Sequence, residues 1–474
     1  MKRAFLKDIS SSAIQVILNQ GLGLLIFIIT SRYLTKAVYG EFNWSLAILS
    51  FVTTILSLRL EQIIVRKVAA GDDPSKMLSL FAGHTLFFGL FFYIVLLLAS
   101  MLFPSFFQQH DLLLLLAISQ LLSFFSSPFK QLANGKEFFN LLAVMSLVSN
   151  LVRSAGLLWV VVFSDLTIQQ VLIIYIFAAL AELLVSFYIV QYRLKISVSS
   201  RWSLKDYFSL LNESLPQIGS VFLNACVARF DWILLGILST TLITAEYSFA
   251  YKVFELCPFP MLILAPILLS RFSRYFSIHD EASLSAKKRE LGLFIRYLMI
   301  TATVLPLVLN VAWVPLMDAL TANKYGAVNK TTFFLLSLCI PFQYMINLLW
   351  TIQFAQNQLQ RIFRITAITS AVIITGDLLM IPLLNAKGAA IVYLLATAIE
   401  YIIYLRCSVL LKISESWQAM IICIGIALIS GFSVEYIDGS LILKLLVAVI
   451  IYSILLLITK QVKRNDWQII KAWI

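Results

Sequence analysis

The chain alternates long apolar runs with short polar breaks, and the runs are of membrane-crossing length. They cover 10–34, 42–68, 77–102, 111–132, 139–162, 169–191, 213–237, 246–270, 291–316, 332–354, 362–384, 389–411, 418–434 and 441–458. A helix needs about 20 predominantly apolar residues to cross a bilayer. The pattern therefore predicts an all-α polytopic membrane protein of about fourteen spans. Turn residues or charges mark the breaks: Tyr39-Gly40-Glu41, Gly71-Asp72-Asp73-Pro74, Asn134-Gly135-Lys136-Glu137 and Asn385-Ala386-Lys387-Gly388. About fourteen spans use roughly 280 residues, which leaves connectors and no room for a substantial soluble domain.

The pattern repeats. Asn19 aligns with Asn224 at a shift of 205, and Gly40-Glu41-Phe42 then meets Ala245-Glu246-Tyr247. Further on, Tyr175-x-x-Ala178-x-x-x-Glu182 matches Tyr393-x-x-Ala396-x-x-x-Glu400 at a shift of 218. Six spans per half is an even number, so both halves enter from the same side. They are parallel repeats about an axis along the membrane normal, a transporter plan with the substrate site between lobes. The expected division is a first lobe over 1–192, a linker over 193–212, a second lobe over 213–411, and a C-terminal pair of spans with a tail over 412–474. In the linker, Leu204, Tyr207, Phe208 and Leu211 fall on one helical face, as in a helix lying on the membrane surface.

Composition agrees with this reading. Hydrophobic residues make up 61% of the chain and charged residues 13%, against roughly 25% charged in soluble domains. The net charge of +12 would point to nucleic acid in a soluble protein. Here the basic residues gather at one side of the membrane. With the N-terminus in the cytoplasm, about 25 of the 36 Lys and Arg fall on cytoplasmic ends and loops, among them Arg66, Lys67, Arg193, Lys195, Arg271, Arg274, Lys463 and Arg464. About six face outward: Arg32, Lys36, Lys324, Lys330, Lys387 and Lys444. Both termini are then cytoplasmic. The basic N-terminus runs past Leu34 without a small-residue cleavage site, which reads as a first span and not a removable signal. Cys226, Cys257, Cys339, Cys407 and Cys423 lie in apolar stretches and read as packing residues. His84, His110 and His279 are too scattered for a metal site.

Several short motifs carry a family resemblance. They are Leu215-Pro216-Gln217, Asp231-Trp232-Ile233-Leu234-Leu235-Gly236 and Glu246-Tyr247-Ser248-x-Ala250-Tyr251-Lys252, together with Ile381-Pro382, Gly388-Ala389-Ala390 and Tyr39-Gly40-Glu41-Phe42. In combination they resemble polysaccharide flippases of the Wzx type, in the multidrug/oligosaccharidyl-lipid/polysaccharide exporter superfamily. The resemblance implies two six-helix lobes with two extra C-terminal helices, in the bacterial inner membrane. It also implies movement of an undecaprenyl-pyrophosphate-linked saccharide, of the O-antigen or lipopolysaccharide kind, to the outer leaflet. Implied partners are that substrate, membrane lipids, and the polysaccharide polymerase and chain-length proteins; the chain is expected to act as a monomer, without nucleic acid.

Charges inside the spans are the candidate chemistry. A charged group at mid-bilayer costs about 2.5–3.5 kcal/mol on the insertion scale, so such residues usually face a protein interior or watery cavity. Arg153 shares a face of span five with Ser146 and Asn150. Span seven carries Gln217, Ser220, Asn224 and Asp231 in one stripe, with Arg229 off it, and span one carries Ser12, Gln15 and Asn19. Lys252 and Glu255 are three apart on span eight, and Arg59 and Glu61 lie in the inner half of span two.

On the functional reading, Arg153, Lys252, Arg229 and Arg59 hold a pyrophosphate, Arg through its bidentate fork. Asn150, Asn19, Gln15, Asn224 and Gln217 then bond sugar hydroxyls, and Asp231, Glu255 and Glu61 are candidates for ion coupling. On the structural reading, Arg229 with Asp231 and Lys252 with Glu255 neutralise one another, Arg59 snorkels, and the polar stripes are inter-helix seams. For Glu182 and Glu400, equivalent in the two halves, a shared structural role outweighs proton coupling. Pro258, Pro260 and Pro266 are expected to bend span eight.

No G-x-x-x-x-G-K-[ST] is present, so nothing here cradles ATP phosphates. An inside-negative potential assists an outward-moving anion by about 2.3 kcal/mol per charge per 100 mV. That makes membrane potential, with or without a proton or sodium ion, a sufficient drive; no other cofactor is expected. A multidrug exporter of the same superfamily is the first alternative. It would be expected to have about twelve spans and, for cationic drugs, a more acidic cavity. A membrane enzyme of polysaccharide assembly is the second, but it wants a large catalytic outer loop. The longest outward connectors are Phe103 to His110 and Met317 to Lys330, with no nucleophile–base pair, so the chain is not expected to be an enzyme.

Overall fold

The structure is a computed structural model describing residues 2–198, 203–261, 281–407 and 414–463, with side chains omitted before residue 15 and over 281–291 and 414–416. Pro266, Arg271, Arg274, His279 and Arg464 therefore lie outside the described residues, as does the side chain of Ser12. All regular structure among the described residues is helical. The chain forms two compact units, Met1–Ala245 and Glu246–Ile474.

The first unit holds α1 (Lys2–Tyr33), α2 (Lys36–Leu56), α3 (Leu60–Ala69), α4 (Pro74–Leu102), the short α5 (Pro104–Gln109), α6 (Leu112–Gly135), α7 (Phe139–Phe163), α8 (Ile168–Tyr188) and α9 (Leu204–Leu238). Local chemistry sets the ends. Thr35 caps α2, Asp73 caps α4 with Pro74 in its first turn, and Thr167 with Gln170 forms a capping box at α8. The amphipathic stretch 204–212 is the beginning of α9, continuous with the span that follows. Helix α6 packs on α2, α4 and α8, α7 packs on α1 and α8, and α9 packs on α2.

Span two is not one straight helix. It breaks between α2 and α3 with a bend of 48°, and Leu58 and Arg59 both take left-handed backbone, at φ 48° and 63°. Such angles are costly for side chains with a Cβ and persist only where the surroundings hold them. The break frees carbonyls that a continuous helix would have bonded. One of them, on Leu56, accepts from His84 Nε2 at 2.8 Å, while His84 Nδ1 lies 2.8 Å from the Tyr207 hydroxyl.

In the second unit, α10 (Thr241–Leu256) begins in the first unit and stops just before Pro258; residues 257–258 form a turn and 259–261 are helical again. The interruption falls where the first of the expected prolines removes a backbone donor. There follow α11 (Glu281–Thr321), α12 (Gly326–Ser337), α13 (Cys339–Ala355), α14 (Leu359–Cys407), α15 (Ser414–Glu435) and α16 (Leu441–Ile458). Helix α11 packs on α12, α15 and α16, and α14 on α12 and α13.

Helix α14 contains a fold-back. Asn385 has φ 53° and ψ −133°, and a Cβ placed on Gly376 would lie 2.7 Å from a Val392 methyl carbon. Residues 16 apart in a straight helix are about 24 Å distant. The helix therefore doubles back at Asn385 into two antiparallel helices, where the polar break was expected.

Among the described residues, eleven helices are long and apolar enough to cross a membrane, or twelve when α2 and α3 are taken as one bent span. That is fewer than the fourteen expected from the apolar runs. The α14 hairpin counts once in this tally, and the run at 246–270 is described only to residue 261. Large apolar side chains face outward along the helices, such as Phe87 at 66% and Met101 at 76% exposure on α4. In water such a surface would aggregate, whereas in lipid it is the proper exterior. The chain is a multi-pass membrane protein.

Candidate functional site

Arg153 lies on a spanning helix of the first unit. Helix α7 carries it against α8, with its guanidinium 4.4 Å from the centre of the Tyr175 ring. Tyr175 is buried and is met edge-on by Phe42 of α2, with ring centres 5.2 Å apart. The ring offers Arg153 the negative face of its π-system. It does not neutralise the charge. Arg153 Nε is buried and has no hydrogen-bond partner, and no carboxylate pairs with Arg153 among the described residues. One turn earlier on α7, Asn150 Nδ2 donates to Asn19 Oδ1 of α1 at 3.1 Å. Gln15 lies one turn before Asn19 and is half-buried. Asn150, on the polar face of span five, thus meets Asn19 of the stripe on span one.

Glu182, seven residues beyond Tyr175 on the buried face of α8, accepts from Lys130 Nζ at 2.5 Å and from Ser126 Oγ at 3.1 Å, both on α6. Neither Lys130 nor Ser126 stands out from local spacing, because their partner lies on another helix. Glu61, on the first turn of α3, accepts from Ser127 Oγ at 3.1 Å. Arg59, at the break itself, donates from Nε to Gln62 Oε1 at 2.8 Å.

On α9, Asp231 is buried and its Oδ1 accepts from the Trp232 backbone at 2.8 Å. The Arg229 guanidinium sits 4.9 Å from the Trp232 ring centre. Gln217 is half-buried and Asn224 exposed. In the second unit Lys252 Nζ lies 3.1 Å from Glu255 Oε2, the one-turn pair that their spacing predicted. Both are about one-third exposed, at 37% and 33%. The first unit therefore gathers Arg153, Asn150 and Asn19 in one place, while Arg59 and Glu61 at the break in span two, and Arg229 and Asp231 beside Trp232, make separate local arrangements.

Two of the family-like motifs also meet. Trp44, two residues after Tyr39-Gly40-Glu41-Phe42, packs against Gly236 of the Asp231–Gly236 stretch and donates from Nε1 to the Ile233 carbonyl at 3.2 Å. Gly40 lies against the Thr241 carbonyl, so neither glycine leaves room for a Cβ.

A family model described as polysaccharide biosynthesis protein matches residues 5–270, more than half of the chain. The chain belongs to that family. Among curated proteins none matches the sequence. Solved structures do. This polysaccharide biosynthesis family member is similar over 94% of its length to 97% of the lipid II flippase MurJ in an inward closed conformation, with TM-score 0.73 and 14% identity. It is similar over 85% of its length to 99% of an inward-facing multidrug resistance MATE family transporter of the MOP superfamily, with TM-score 0.64 and 14% identity. A MOP superfamily transporter from Pyrococcus furiosus, described as having a binding pocket of reversed polarity, matches over 88% of this chain and 95% of its own, with TM-score 0.59 and 11% identity. The fold of this family member is the one these flippases and transporters share.

Proposed function

We propose that the chain flips an undecaprenyl-pyrophosphate-linked oligosaccharide, of the O-antigen or lipopolysaccharide kind, from the cytoplasmic to the outer leaflet of the bacterial inner membrane. The two repeats act as lobes that alternate access, both termini are cytoplasmic, and the drive is the membrane potential or an ion gradient. The observation that carries this reading is Arg153. It is an arginine on a spanning helix, seated on an aromatic ring, with a buried donor that nothing satisfies. An uncompensated cation at that depth is expensive, and an arriving phosphate anion would repay it with charge-assisted hydrogen bonds. Asn19 and Asn150 beside it suit hydroxyl-rich sugars. Lys252, Arg229 and Arg59, with Gln15, Asn224 and Gln217, extend the same role. Asp231, Glu255 and Glu61 remain the acids to examine for coupling to a proton or sodium ion.

The fold likeness to multidrug transporters supports a second reading, export of drugs. Deleting the gene separates the two. A flippase leaves its lipid-linked saccharide on the cytoplasmic leaflet, where sidedness labelling finds it. Normal sidedness with raised drug sensitivity would instead favour export. The double variant Arg153→Ala, Lys252→Ala should reach the membrane at the wild-type level and transport poorly; full activity would remove the anion clamp.

A further inference from the structure

The outer end of span two carries a second titratable cluster, which the reading above does not use. His110, in the connector after α5, places Nδ1 3.0 Å from each carboxylate oxygen of Glu41. Glu41 is 7% exposed and also accepts from Ser45 Oγ at 3.4 Å. The imidazole packs on Trp44, with ring centres 4.2 Å apart, and on Phe106 at 4.6 Å. Trp44 is the residue seated on Gly236 and bonded to Ile233. The pair therefore sits on the joint where α2 meets α9. Asp111, at the start of α6, also acts electrostatically on Glu41.

The second unit builds the same cluster without the histidine. At the shift of 205, Glu41 becomes Glu246 and Trp44 becomes Phe249. The partner ring there is Tyr325, 215 residues after His110 and likewise just ahead of its helix. Tyr325 stacks on Phe249 with ring centres 4.4 Å apart and lies within electrostatic reach of Glu246. The two copies differ in the ring beside the carboxylate, His110 against Tyr325, and in the ring it packs on, Trp44 against Phe249. One ring is an imidazole, whose charge changes between about pH 5 and 8. The other is a phenol, which stays neutral there.

We propose that His110 and Glu41 form a proton-binding site through which the outer compartment regulates transport. The proposal rests on the orientation given above, which puts the connector after α5 outside. With Glu41 ionised, Nδ1–H is the donor, so Nε2 is left to take the proton. A proton from outer water adds there, and the pair changes from a net single negative charge to a neutral imidazolium–carboxylate pair. That bond tightens the joint under Trp44, and the unprotonated pair leaves it looser.

The test uses the full chain in two ways. In lipid nanodiscs with nitrogen-15-labelled histidine, the ring resonance that disappears in His110→Tyr is that of His110. It should move when the pH is lowered from about 7.5 to 5.5, and a resonance that stays fixed over that change would overturn the proposal. In proteoliposomes, flipping of a fluorescent polyprenyl-pyrophosphate saccharide should slow about threefold when external pH falls from about 7.5 to 5.5. In His110→Tyr, which copies the packing of Tyr325, the rate should no longer follow external pH. A His110→Tyr protein that keeps the wild-type pH profile would also overturn it. A wild type that flips nothing at any pH counts against the flippase reading, and the nitrogen titration still decides this one.

Discussion

Helix α8 and the second half of α14 come from one repeated motif, yet they surround it with opposite chemistry. In the first unit, Tyr175 bears the guanidinium of Arg153 and Glu182 is bound by Lys130 and Ser126. In the second, Tyr393 accepts a neutral bond from Gln343 at 2.9 Å and packs on Tyr251 and Phe254. Glu400, the counterpart of Glu182, has no ion-pair or hydrogen-bond partner among the described residues. The frame itself is conserved between the units. Both hairpins into the next helix end α6 and α13 with the same pair of backbone bonds, and left-handed Glu137 and Asn357 sit 220 residues apart. The duplication kept the turns and the aromatic face and let the charges diverge. Around this motif, among the described residues, the basic partners Arg153 and Lys130 occur in the first unit, and Gln343 meets Tyr393 in the second.

The largest effect that would sharpen this contrast concerns Lys130. Removing one partner of a buried pair leaves the other charge uncompensated, at a cost of about 3–5 kcal/mol, and these side chains are only 21% and 7% exposed. Lys130→Ala should therefore lower the midpoint of thermal unfolding in detergent far more than Glu400→Gln, which breaks no pair. Equal losses in the two variants would erase the distinction. Next comes the Tyr175 ring. Replacing it by Leu removes a cation–π contact worth about 0.5–2 kcal/mol. Arg153 should then become more reactive to a water-soluble arginine reagent; unchanged reactivity would mean that the ring does not hold it. The smallest effect belongs to Lys252 and Glu255. At one-third exposure their pair is worth about 0.2–1 kcal/mol, so Lys252→Ala should barely move the unfolding midpoint. A large loss would place that pair in a drier setting than its exposure indicates.

Much of this arrangement was legible in the sequence, for physical reasons. The reversal at Asn385 announced itself through Asn and Gly in an otherwise apolar run, because turns need those residues. The Lys252–Glu255 pair followed from helical spacing, and the polar face of Ser146, Asn150 and Arg153 from the same geometry. The break in span two did not, because Ser57-Leu58-Arg59 contains no glycine or proline. Its left-handed residues are held by packing and by the capping of Leu56, which are properties of the folded protein. Lys130 was missed for a related reason. Its partner is 52 residues away, and nothing in local spacing joins them. Tyr175 was visible as half of a repeat, but its work as a seat for Arg153 depends on how α7 meets α8.

Everything turns on whether Arg153 waits for an anion. Binding of undecaprenyl pyrophosphate to the purified full-length protein, measured by its effect on thermal stability, tests this most directly. The wild type should be stabilised by the ligand, Arg153→Lys partly, since it keeps the charge and loses the fork, and Arg153→Ala little or not at all. Equal stabilisation of wild type and Arg153→Ala would contradict the account.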